Sequence, residues 1–159
     1  MMQRLAVLIA ALWWGGVSGL SFVAVPTLFA SLGNPAVAGP VAAQLFSLQC
    51  WGGLGWGLVL LLILRRQRSA GHFPLAGATV DPARLQSMQR VLATMGFVLV
   101  AMLLALLQEF AVAQKIVTAR ATGGNLRLWH GLGSAMVLGQ WLCSGAVLWR
   151  LAYVGRSSH

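Results

Sequence analysis

The chain has 159 residues, 58% hydrophobic and 8% charged, with a formal net charge of +9. Soluble domains carry roughly a quarter charged residues, and so short a chain has too little interior to hide this much apolar surface from water. Its ten Arg and one Lys fall between apolar runs, so orientation in a membrane explains them better than nucleic acid does.

Four apolar stretches predict helices at about residues 5–30, 41–64, 91–113 and 128–150. Each approaches the ~20 residues that cross ~30 Å of hydrocarbon. None shows the period-two alternation of a barrel strand. The predicted fold class is therefore all-α, a single integral membrane domain built as an antiparallel four-helix bundle in the lipid bilayer.

The first stretch follows Arg4, and Ala36-Val37-Ala38 looks like a signal-peptide cleavage site. The apolar run is longer than the usual ~7–15 residues of a signal peptide, so it is expected to remain as a helix. Trp13 and Trp14 stand near its middle beside Gly15 and Gly16, where they can pack or stack on a ligand. Pro26 lies near its outer end, where a proline ends or kinks a helix at little cost.

Segment 31–40 is short and uncharged and holds Asn34. The second stretch carries Gln44 and Gln49 in its outer half, Cys50, and Trp51 and Trp56 around its glycines. The loop predicted at 65–90 holds Arg65, Arg66, Arg68, Arg84 and Arg90. On the third stretch Met88, Met95 and Met102 recur every seven residues, a spacing repeated by Met136 and Cys143 on the fourth. Thioethers suit soft metals such as Cu(I). The favoured reading is that these methionines fill irregular helix contacts. Gly15 and Gly19, Gly53 and Gly57, and Ala135 and Gly139 have the spacing that brings helix backbones together in lipid. Trp129 and Trp149 bracket the fourth stretch as interfacial anchors.

With the N-terminus inside, the cytoplasmic side holds Arg4, the five loop arginines, Arg150 and Arg156, while Lys115, Arg120 and Arg127 lie outside. The positive-inside rule then places both termini in the cytoplasm. Arg in excess of Lys with abundant Ala and Gly points to a GC-rich bacterial genome, hence to the inner membrane.

Glu109 lies about 28 Å of helix beyond Arg90, and His130 about 30 Å before Arg150. The two are thus expected at one depth, near the outer interface. With Gln108 and Gln44 they form the candidate ligand-binding cluster, since an ionisable group in a span is a functional hypothesis by default. A Glu–His pair can bind a metal or relay a proton. Alternatively, Glu109 pairs with Lys115 or Arg127 in a solvated loop and His130 caps the fourth helix. The midplane is expected to be nearly empty of chemistry. There is no phosphate-binding loop, nucleophile elbow, zinc signature or dinucleotide fingerprint, so no catalytic residue and no cofactor is predicted. A haem would have His130 as its one candidate ligand in a span, with His72 and His159 in loop and tail. A symmetric dimer could supply a second.

Several short motifs recur in one known pattern. They are Trp14-Gly15-Gly16, Val25-Pro26-Thr27-Leu28-Phe29, Ala38-Gly39, Leu45-Phe46 and Trp129-His130-Gly131-Leu132-Gly133-Ser134. Together they resemble the transmembrane protein 205-like family, known in bacteria as a domain of unknown function (number 4149), over about residues 5–150. The resemblance gives Trp14, Gly15, Gly16, Pro26, Phe29, Gly39, Phe46 and Gly131 a motif or structural role. It implies handling of a metal or small molecule without naming one. The chain departs from the pattern at Gln108-Glu109-Phe110-Ala111, where a proline is expected after the acidic position. That departure argues against any role that requires a helix break there. Three functional readings stay open. The first is binding or transport of a small molecule or metal ion, the second an accessory structural subunit of a larger membrane complex, and the third a haem-binding redox protein. Its expected partners are a second copy of the chain or other membrane-protein subunits, and not nucleic acid.

Overall fold

The computed structural model describes residues 2–70 and 82–156, all of them helix apart from two tight turns. Helix α1 is Met2–Leu32, α2 is Pro35–Ala70, α3 covers residues 82–122 and α4 is Leu126–Arg156. Each contains a segment long and apolar enough to cross a membrane. The chain is an all-α integral membrane protein of four antiparallel spans. In lipid such helices satisfy their own backbone groups, which explains why apolar sequence with few charges settles into this form.

The helices run further than the apolar stretches. Arg65, Arg66 and Arg68 continue α2, and Arg90 lies inside α3. Polar flanking residues outside the hydrocarbon still gain a hydrogen bond for each residue added to an existing helix. Of the loop expected at 65–90, residues 71–81 lie outside the described residues, as does His72; His159 likewise lies outside them.

The turns at the end opposite the termini share one chemistry. Gly33 adopts φ +62° and its N–H donates to the Phe29 carbonyl, closing α1. The Asn34 side chain then accepts from the Ala36 N–H at 2.9 Å, and Pro35 opens α2. At the other turn Gly123 has φ +73° and the Asn125 side chain accepts from the Leu128 N–H at 3.1 Å. Glycine tolerates the left-handed conformation, asparagine caps the next helix, and proline at the first helical position lacks only an N–H that would be unpaired anyway.

Two helices change winding midway. Leu20–Ala24 of α1 and Gln108–Ala113 of α3 are π-helical. The first has a clear cause, because Pro26 has no N–H for the Phe22 carbonyl and its ring crowds that carbonyl. Widening the turn just before the proline relieves both problems and spares α1 a sharp break. The second contains no proline, and the helix runs on through it without a break.

The spans pack in chain order around a square, with α1 against α2 and α4, and α3 against α2 and α4. The contiguous buried apolar cluster joins Ala6, Ile9, Ala10, Trp13 and Val17 of α1 to Leu60 and Leu64 of α2, Val98 and Ala101 of α3, and Val147 and Leu151 of α4. At the end holding the termini, Gln3 donates to the Leu151 carbonyl at 2.8 Å and accepts from Gln67 at 3.3 Å. Arg150 donates to the Thr94 hydroxyl at 3.1 Å and lies over the Phe97 ring.

Small residues set the spacing, though not all those expected. Gly57 leaves room for Met102, whose Cγ and Sδ lie 2.7 Å from where a glycine Cβ would stand. Gly139 meets Leu104 and Gly145 meets Trp14 in the same way. Gly15 and Gly19 instead face outwards, with nothing within 4 Å of a β-carbon, and do not bring α1 against a neighbour.

Candidate functional site

Beyond its apolar cluster the interior of the bundle mixes buried apolar residues such as Ala42, Ala105 and Val112 with polar ones. Gln49, Gln108, Gln140 and Ser144 are all buried. Gln140 on α4 donates to Gln108 on α3 at 2.8 Å, and the Ser144 hydroxyl donates to the Gln140 carbonyl at 2.8 Å. Ser18 on α1 donates to the Trp14 carbonyl and accepts from the Trp141 indole at 2.9 Å. Trp14 and Trp141 stack with centroids 5.7 Å apart, and Phe22 meets Trp141 edge-on. These neutral, mutually paired groups inside the bundle were not anticipated from the sequence. Glutamine and serine inside apolar runs carry no formal charge, so the charge pattern did not mark them.

Glu109 sits in the π-helical turn of α3 and is half-buried. Its carboxylate accepts a hydrogen bond from the Ser47 hydroxyl on α2 at 2.7 Å. One turn further along that face of α2, Trp51 meets Phe110 edge to face at 6.2 Å. Cys50 is buried on the same helix, and both it and Cys143 are free thiols. The widened turn matters here. It brings two adjacent residues inward to different neighbours, Gln108 to α4 and Glu109 to α2.

The other expected members do not join Glu109. His130 is exposed near the start of α4 and is not its hydrogen-bond partner, which is Ser47. Gln44 is exposed on α2. Gln108 is beside Glu109 in sequence but pairs with Gln140. Among the motif residues, Trp14 packs on Trp141, Pro26 follows the first π-turn, and Phe29 supplies the carbonyl that closes α1. Gly39 and Phe46 are half-buried on α2, while Gly16 and Gly131 are exposed. Among the described residues no group of three or more His, Cys, Asp or Glu could hold a metal ion. Met95 and Met102 pack against the apolar cluster.

A separate cleft of about 170 Å³ opens between α1 and α2. It is lined in part by Trp13 and Gln49, whose indole Nε1 and amide Nε2 are buried with no hydrogen-bond partner among the described residues. Ser47 and Gln140 were not singled out from sequence, and Trp13 and Gln49, both noted there, were not joined to each other. The one available signal was that polar residues in apolar runs need partners.

No curated protein and no solved structure matches the chain. A family model described as "Domain of unknown function (DUF4149)" matches residues 8–125, from the first turns of α1 to the turn before α4. That match covers most of the protein, including Glu109, Ser47 and the cleft, and the chain belongs to the DUF4149 family.

Proposed function

We propose that this protein binds a small, membrane-soluble organic cation at Glu109. The carrying observation is a carboxylate inside a span whose hydrogen-bond partner is the neutral Ser47 hydroxyl. A charge in a membrane span is costly unless compensated, and among the described residues no cation pairs with it. The adjacent Trp51–Phe110 pair is half-exposed on the outside of the bundle. Aromatic faces beside a carboxylate favour a cation over an anion or a neutral sugar. The bundle sits in a bacterial inner membrane with both termini cytoplasmic, which the arginine distribution supports. That places Glu109 toward the outer face. The resemblance of the Trp14-Gly15-Gly16 and Trp129-His130-Gly131 motifs to the transmembrane protein 205-like family, which implies handling of a metal or small molecule, is in keeping with this reading.

The test is equilibrium binding of radiolabelled tetraphenylphosphonium to the intact protein in lipid nanodiscs. Wild type binds saturably, and Glu109→Gln loses more than about tenfold in affinity, the scale of a hydrogen-bonded charge. Equal binding by wild type and a folded Glu109→Gln protein contradicts the reading.

A further inference from the structure

The cleft between α1 and α2 lies away from Glu109 and has a different chemistry. It is lined by Gly16 and Gly52, which are exposed, by the buried Gly53, and by Leu12, Leu48 and Trp56, whose exposure on the outside of the bundle makes them its mouth. Gly53 lets the Trp13 indole lie close to α2, with Nε1 3.1 Å from where a β-carbon would stand. Gly16 and Gly52 have nothing within 4 Å of a β-carbon, so this part of the wall is open space. Trp13 is 3% exposed and Gln49 8% exposed, yet Trp13 Nε1 and Gln49 Nε2 have no hydrogen-bond partner among the described residues. Ser21 donates to the Gln49 amide oxygen at 3.3 Å, which turns the amide nitrogen away from Ser21. A buried donor without an acceptor costs about 1–3 kcal/mol, and native interiors rarely hold two in one place.

Both orphaned groups are donors, so the missing occupant is an acceptor. Gly53, opposite Trp13, is about 27 Å of helix from Pro35 and about 25 Å from Ala70, so the cleft sits mid-span. Phospholipid ester carbonyls lie at the interface, outside the ~30 Å hydrocarbon core, and do not reach that depth. A ~150 Å³ apolar cavity holds one benzene ring, so this cleft accommodates a single ring whose apolar tail leaves through the mouth into lipid. We propose that the α1–α2 cleft binds the carbonyl-bearing ring of an uncharged isoprenoid quinone, with Trp13 and Gln49 donating to its oxygens.

The test uses intact protein in nanodiscs and titration with decylubiquinone, read by saturable quenching of tryptophan fluorescence, with decylbenzene as the control lacking acceptors. Thermal midpoints and helicity establish that each variant is folded. Wild type binds decylubiquinone saturably and decylbenzene at least tenfold more weakly. Trp13→Phe and Gln49→Met each lower affinity about three- to tenfold, the range of one hydrogen bond. Gly16→Leu places a side chain in open space, fills the cleft and abolishes saturable binding. Absence of saturable binding in wild type overturns the proposal. So does equal affinity for decylbenzene, unchanged affinity in the Gly16→Leu protein, or a ligand-soaked structure with only water between the two donors.

Discussion

The Gln108–Gln140 bond shows how much one buried polar contact decides in this bundle. Neither residue has a formal charge, and each has an apolar isostere, so the pair can be removed by halves. Gln140→Leu leaves the Gln108 amide without its donor, and we expect a loss of about 1–2 kcal/mol in reversible unfolding in mixed detergent micelles. The double change Gln108→Leu with Gln140→Leu is expected to cost less than the sum of the singles, because neither group is then left unpaired. Additive losses would show that the two side chains are not coupled. Glycine contacts divide in the same way by what they touch. At Gly57 a new β-carbon meets the flexible end of Met102, whereas at Gly145 it meets the Trp14 indole at 2.9 Å, held in the Trp14–Trp141 stack. Gly145→Ala is therefore expected to lower the thermal midpoint more than Gly57→Ala, the overpacked site costing about 1–3 kcal/mol. Equal effects would mean that the stack yields as readily as a methionine.

At the scale of the helix, the number of spans and the disturbance near the end of α1 were legible from sequence, whereas the helices' full lengths were not. Apolar runs of sufficient length specify spans, and Pro26 signals a disturbance of the backbone just before it, but the glycine and asparagine of each turn were not read as its signal. The π-turn at Gln108–Ala113 was not legible, since no local residue demands it and it depends on partners in α2 and α4. Glu109 and Gln108 were identified as a polar pair, but their real partners lie on other helices, and helix rotation is not encoded in depth. His130 matched Glu109 in estimated depth for the same reason that it failed to join it: depth says nothing about which face a residue occupies. A π-turn holds one residue more than the α-helix requires. Deleting Ala111 inside that turn should therefore lower the thermal midpoint less than deleting Ala105, which is buried in regular helix. The reverse order would show that the wide turn is indispensable to packing.

For the molecule as a whole, charge and interior point in complementary directions. The arginines crowd the end that carries both termini, where Gln3, Gln67 and Arg150 also tie the helices together. The polar interior and Glu109 lie toward the opposite half. If the positive-inside rule governs insertion, a C-terminal green fluorescent protein fusion is fluorescent in bacterial cells and a C-terminal alkaline phosphatase fusion is inactive. An active phosphatase fusion would invert the orientation and move Glu109 to the cytoplasmic side. Glu109 is the feature on which the functional account turns, and native mass spectrometry of the intact protein with tetraphenylphosphonium tests it most directly. Wild type is expected to carry a one-to-one adduct that is lost in Glu109→Gln at the same cation concentration; adducts of equal abundance on both proteins would rule out binding at Glu109.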